Sequence, residues 1–105
     1  MKQLLSELII EGAKLRPQGY GFYFPKVAGV RCSCAMGAFA EAIGGVRFDG
    51  DISYRLIDKT YSHAFGQIPF ETVERVTSWN DKLKLTREQI AQRLIDEKLD
   101  VIIDY

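Results

Sequence analysis

The stretch that decides the fold is RCSCAMGAFAEAIGG, residues 31–45. It contains both cysteines and the densest run of small residues in the chain. Ser33 is a good N-cap residue and Gly44-Gly45 supplies the left-handed position that ends many helices, so the stretch predicts a helix from about Cys34 to Ile43. Because alanine and glycine keep this helix slim, we expect it to be the buried, central helix of the protein.

The composition is that of an ordinary globular protein. At 105 residues the chain is long enough for one domain, residues 1–105, with its own core. Lys plus Arg equals Asp plus Glu at 14 each, which gives no electrostatic support for binding nucleic acid or an anionic membrane. No apolar run approaches the length of a membrane span, and Glu7 interrupts the amino-terminal segment where a signal peptide would stay apolar. We therefore expect a cytoplasmic protein with reduced thiols and no cofactor.

Apolar periodicity predicts further helices on both sides of the central one. They run from Lys2 to about Leu15, from Asp51 through Phe65, from Pro69 to Trp79, and onward from a capping box formed by Thr86 and Gln89. Aromatic and β-branched runs between Gly19 and Cys32 predict a short β-hairpin, Asn80-Asp81 predicts a turn, and the apolar tail from Asp100 to Tyr105 predicts a docked short strand. The expected fold class is mainly α: a small single-domain helical bundle with a short β-hairpin before the central helix.

Cys34 carries the strongest chemical signal in the sequence. In the first turn of a helix, free N–H groups and the positive end of the helix dipole favour a thiolate. With the only histidine, His63, as base and with Asn80 or Asp81 orienting the imidazole, Cys34 would be the nucleophile of a cysteine-dependent hydrolase or transferase. The alternative is a buried Cys34 that packs like a small hydrophobe and a His63 without a catalytic role, and we favour it because free cysteines are usually buried.

Metal binding is not expected. Cys32 and Cys34 supply two thiolates, whereas a closed zinc site takes four ligands. The run from Asp49 to Ser53 begins like a calcium loop, but Tyr54 replaces the required glycine and Thr60 stands where the bidentate glutamate belongs.

The aromatic run before the central helix offers a second kind of site. Gly19-Tyr20-Gly21-Phe22 resembles the aromatic strand signature of RNA-recognition domains, whose rings stack on bases. Binding of single-stranded nucleic acid through Tyr20 and Phe22 is therefore an alternative function. The run departs from the signature at Tyr23, and the rest of the chain is predicted to be helical, so we prefer that these aromatic side chains cover the core.

Two separated motifs resemble those of an uncharacterised family of small bacterial and phage-borne proteins. They are Cys34-Ala35-Met36-Gly37-Ala38 and Trp79-Asn80-Asp81, the latter followed by a Thr-x-Glu-x-Ile helix start. The resemblance implies that the two motifs meet in one structural constellation, and it implies no activity. Within that constellation Trp79 is either a binding residue or a plug in the core, while Asn80 and Asp81 hold a turn.

The sequence therefore favours a non-enzymatic accessory or protein-interaction domain, of the kind carried by phages and mobile elements, over a cysteine-dependent enzyme that uses Cys34 and His63. The expected partner is another protein or a second copy of this chain, and neither a membrane nor a nucleic acid is favoured. The candidate binding residues are Tyr20, Phe22, Tyr23 and Trp79.

Overall fold

The structure is a computed structural model that describes residues 1–105. In chain order its elements are β1 (Lys2–Leu4), α1 (Leu5–Ala13), β2 (Lys26–Val27), β3 (Val30–Arg31), α2 (Ala35–Ala42), β4 (Val46–Asp49), β5 (Ser53–Leu56), α3 (Asp58–Phe65), α4 (Phe70–Asp81), α5 (Arg87–Asp96) and β6 (Ile102–Asp104). Three two-stranded antiparallel sheets pair β1 with β6, β2 with β3, and β4 with β5. With 45% helix and 19% strand the fold is an α+β mix, so the prediction of a mainly α bundle is wrong. None of the helices is long and apolar enough to cross a membrane.

Helix α2 is the central helix that the sequence predicts. All six residues from Ala35 to Ala40 are buried, and Gly44 ends the helix with a φ of +71°. The predicted cap is wrong by one residue. The sulfur of Cys34, not Ser33, accepts the capping hydrogen bond from the Gly37 N–H at 3.4 Å.

The core is built around α2. It contains 17 buried side chains, which come from all five helices, from β6 and from three residues next to helices, Cys34, Ile43 and Ile68. The closest approach is between α1 and α2, where a Cβ added to Gly12 would lie 1.9 Å from the Ala38 carbonyl oxygen. Only a glycine lets the two backbones come this near, and α2 can therefore sit in the interior as its small side chains predict.

The segment between α2 and α3 departs most from the prediction. Residues 46–56 form the β4–β5 hairpin, in which Phe48 pairs with Tyr54 and both rings lie about 5 Å from the ring of Phe24. Burial alternates along both strands with a period of two, and Gly50 makes the turn with a φ of +59°. The predicted helix from Asp51 is wrong because α3 begins only at Asp58.

Three further boundaries are corrected. Lys2–Leu4, predicted as helix, pairs with Ile102–Asp104, which confirms the docked carboxyl-terminal strand. The hairpin predicted between Gly19 and Cys32 shrinks to two residue pairs, Lys26 with Arg31 and Val27 with Val30, and the aromatic run before it is an irregular loop. Asn80 and Asp81 belong to the last turn of α4 and do not form a separate turn.

Gly12→Ala is expected to destabilise the fold by about 2 kcal/mol or more, because the added methyl group collides with backbone that cannot move alone. The free energy of unfolding from urea titration measures the change. The matched control is Gly66→Ala, whose added Cβ meets nothing nearer than the Ser62 carbonyl at 3.2 Å and whose expected effect stays within about 1 kcal/mol. Equal stability of the two variants would contradict the close packing of α1 on α2.

Candidate binding pocket beneath the aromatic loop

A pocket of about 260 Å³ opens where the aromatic loop, α2, α3 and α4 meet. Residues 21–23 of the loop form one wall, and residues 34–36 at the start of α2 form the floor. Phe65 closes one side, and the α4 positions between Val73 and Asp81 form the wall opposite the loop. Most of the lining side chains are apolar, so the pocket suits an apolar group.

Asn80 ties two walls of the pocket to its floor. Its Oδ1 accepts hydrogen bonds from the Ala35 N–H and from Gln18 Nε2, both at 3.1 Å. Its Nδ2 donates to the Gly19 carbonyl at 3.2 Å and to Asp81 Oδ1 at 2.8 Å. The side chain is 1% exposed, and both its oxygen and its nitrogen make two bonds, so it has no spare capacity for a ligand. Asn80 is therefore a residue that builds the pocket.

The loop is held at two more points. The Gly21 N–H donates to Asp81 Oδ1 at 2.9 Å, and the Cys34 N–H donates to the Tyr23 carbonyl at 2.9 Å. A Cβ added to Gly37 would lie 2.3 Å from the main-chain carbonyl oxygen of Tyr23, so the loop can approach α2 only because position 37 is glycine. These contacts fix the path of the loop without using its aromatic rings.

Arg87 is a buried residue that links the segment before α2 to the end of α1, and the sequence analysis did not identify it. Its guanidinium donates to Ser33 Oγ and to the Arg16 carbonyl, both at 2.7 Å, and to the Ala13 carbonyl at 3.2 Å. No carboxylate pairs with it, and burial lowers its pKa. The Ala13 carbonyl at the end of α1 and the Arg16 carbonyl just beyond it carry partial negative charge, and they stabilise the buried cation in place of an acidic side chain.

Cys34 lies at the floor of the pocket as a neutral thiol. Burial raises its pKa, and the negative charge of Asp81 acts in the same direction. His63 is exposed on α3, does not line the pocket and makes no hydrogen bond with Cys34. The structure thus brings Cys34, Asn80 and Asp81 together and leaves the histidine outside. No group of three or more His, Cys, Asp or Glu side chains is placed to hold a metal ion.

The four aromatic candidates fall into two pairs. Tyr23 lines the pocket, and Phe22 stands at its rim with 83% of its surface exposed. Tyr20 lies outside the pocket with the Lys84 ammonium 4.1 Å from its ring centre, and Trp79 is a core residue with 4% exposure. Only Phe22 and Tyr23 can therefore contact a group bound in the pocket.

The raised pKa of Cys34 predicts a loss of stability at alkaline pH. The folded state keeps a proton that the unfolded chain releases near pH 9, so this contribution is complete below pH 9 and is lost as the pH rises above it. We expect the free energy of unfolding to fall by up to about 1.4 kcal/mol per pH unit for this group. Tyr61, whose pKa burial also raises, adds to the fall.

Denaturant titrations between pH 7 and pH 11 measure this dependence. Cys34→Ser keeps a capping oxygen but no titrating thiol, so its stability should fall less steeply than that of the wild type. Cys32→Ser, which leaves Cys34 in place, is the control and should keep the wild-type slope. Rapid alkylation of Cys34 by iodoacetamide at pH 7 in the folded protein would contradict a neutral, buried thiol.

A scan against protein-family models finds no matching model, and searches of the curated proteins and of the solved structures find no significant match. The resemblance to small bacterial and phage-borne proteins, drawn from Cys34–Ala38 and Trp79–Asp81, therefore stays a prediction. The geometry and chemistry of the pocket are the basis for assigning a function.

Proposed function

We propose that this protein is a non-enzymatic interaction domain that binds another polypeptide by accepting one of its apolar side chains in the pocket. The observation that carries the proposal is the apolar pocket of about 260 Å³ with an exposed phenylalanine, Phe22, at its rim.

The size of the pocket favours a side chain over a free small molecule. Pockets for small ligands usually enclose roughly 300–1,000 Å³, and this one is smaller. Protein interfaces, in contrast, are commonly anchored by one or two large apolar side chains that fill a pocket of the partner. A leucine, methionine or phenylalanine side chain matches the space and the apolar lining.

Phe22 gives the bound partner a second apolar contact. Its ring is held away from the core by the hydrogen bonds of Gly21 and Tyr23, and it meets the Tyr23 ring edge-on at 5.7 Å between centroids. Burying such a ring on binding contributes roughly 1.5–3 kcal/mol. Because the loop is already fixed in the free protein, little conformational entropy is lost when the partner docks.

The chemistry of Cys34 supports binding over catalysis. A thiol with a raised pKa is a poor nucleophile at neutral pH, and its sulfur already accepts the Gly37 N–H. A hydrolase or transferase would also need a base, and His63 lies outside the pocket. The thiol therefore serves as a soft apolar surface at the floor of the pocket.

Selection of a random peptide library displayed on phage tests the proposal. We expect selected peptides to share a large apolar residue and to lose at least about tenfold in affinity towards Thr77→Tyr, which fills the pocket from an exposed position of α4. Phe22→Ala should weaken the same peptides. Fluorescence anisotropy measures each affinity.

Two matched controls separate the pocket from general surface effects. Gln92→Tyr places the same side chain on the exposed face of α5, and Ile52→Ala truncates an apolar side chain that is 89% exposed at the β4–β5 turn. Both should bind the peptides as the wild type does. Peptides that bind Thr77→Tyr unchanged, or retention of a single-stranded oligonucleotide that is lost in Phe22→Ala, would contradict the proposal.

A further inference from the structure

We propose that the apolar side chain that fills the pocket is Phe70 of a second copy of this chain, and that two copies associate through α4 with each Phe70 in the pocket of the other. The inference rests on the proposed function and names the partner. It follows from an exposed phenylalanine that lies on the same helix as one wall of the pocket.

Phe70 is a large apolar side chain that has no place in the core of its own chain. It is the first residue of α4, its surface is 76% exposed, and it does not line the pocket. The helical period places it about 20° around the helix from Thr77, about 10 Å further along the axis. Because Thr77 lines the pocket and Val73 lies between them, the apolar surface of the pocket continues along α4 to Phe70.

A two-fold axis brings this ring to the pocket of the second copy. In an antiparallel pair of α4 helices centred between Glu74 and Thr77, Phe70 of each copy faces the Asp81 end of the other. At that end the Gly21 N–H holds the aromatic loop to Asp81, and the loop carries Phe22 at the rim of the pocket. The contact is self-complementary, so both pockets are filled in the same dimer.

The charges of α4 favour this antiparallel arrangement. Glu71 and Glu74 lie in the first half of the helix, and Lys82, which makes no ion pair in its own chain, follows the last turn. An antiparallel pair directs the acidic half of one helix towards Lys82 of the other, whereas a parallel pair would place like charges together. Between these charges, Thr77 and Ser78 are small and uncharged, so the helices can approach to about 8–10 Å.

The second copy is also a suitable partner in chemistry and overall charge. The chain carries equal numbers of acidic and basic residues, so two copies do not repel each other strongly. Each dimer would remove four phenylalanine rings from water, Phe22 and Phe70 of both copies, which are 83% and 76% exposed in the single chain. Because the contact is confined to one helix and one loop, we expect a weak dimer with a dissociation constant in the micromolar range.

Sedimentation equilibrium between about 5 µM and about 1 mM tests the inference. We expect the average mass to rise from that of one chain towards that of two. Phe70→Ala, which removes an exposed ring and adds a good helix former, and Thr77→Tyr, which fills the pocket, should each raise the dissociation constant at least about tenfold. The control Ile52→Ala truncates an exposed apolar side chain at the β4–β5 turn and should dimerise as the wild type does.

A mixture of the two variants separates a specific contact from damage to the fold. Phe70→Ala keeps an open pocket and Thr77→Tyr keeps its phenylalanine, so a mixed pair retains one of the two contacts. We therefore expect the mixture to contain more dimer than either variant alone at the same total concentration. A mixture with no more dimer than the separate variants would contradict the reciprocal insertion of Phe70.

The outcomes also separate this inference from the proposed function. Peptides selected on the pocket should dissociate the dimer, since they compete with Phe70 for the same space. A chain that stays monomeric at about 1 mM, or a dimer that Phe70→Ala leaves unchanged, would overturn the inference while pocket-dependent peptides would still support the proposed function. The absence of both a dimer and pocket-dependent peptides would overturn both.

Discussion

The pocket depends on one buried carboxamide. Asn80 offers an acceptor to the first N–H of α2, at Ala35, and a donor to the loop carbonyl of Gly19, and both partners are shielded from water. A buried backbone group without a partner costs roughly 1–3 kcal/mol, so the loop is confined to the path that satisfies these bonds. On that path the Phe22 ring is exposed to solvent at the rim of the pocket, and Tyr23 lines the pocket.

A second constraint is the slim profile of α2. Because Gly12 has no side chain, the backbone of α2 packs directly against α1. Because Gly37 has none either, the aromatic loop packs directly against α2, so the helix has close neighbours on two sides. The space left on its third side, towards α4, becomes the pocket. The floor of the pocket is apolar because it is formed by Cys34, Ala35 and Met36 at the start of this interior helix.

The sequence correctly predicted the elements that depend on residues close together in the chain. The interior helix at Ala35 and the capping box of Thr86 with Gln89 are both confirmed, since small residues and caps act within one turn. The β4–β5 hairpin was missed because Tyr54 and Tyr61 share a helical spacing that masked the alternation of period two. Arg87 could not be predicted, because its partners are carbonyls some 70 positions earlier in the chain. Whether His63 faces Cys34 likewise depends on tertiary packing.

Hydrogen exchange of the Ala35 amide in Asn80→Ala tests the central claim most directly. The amide loses its acceptor in this variant, so we expect its exchange to accelerate by at least about tenfold while the amide of Ile9 in α1 keeps its protection. Asn80→Asp, which retains an acceptor oxygen, should restore part of the protection of Ala35. Unchanged exchange at Ala35 in Asn80→Ala would show that this carboxamide does not hold the pocket together.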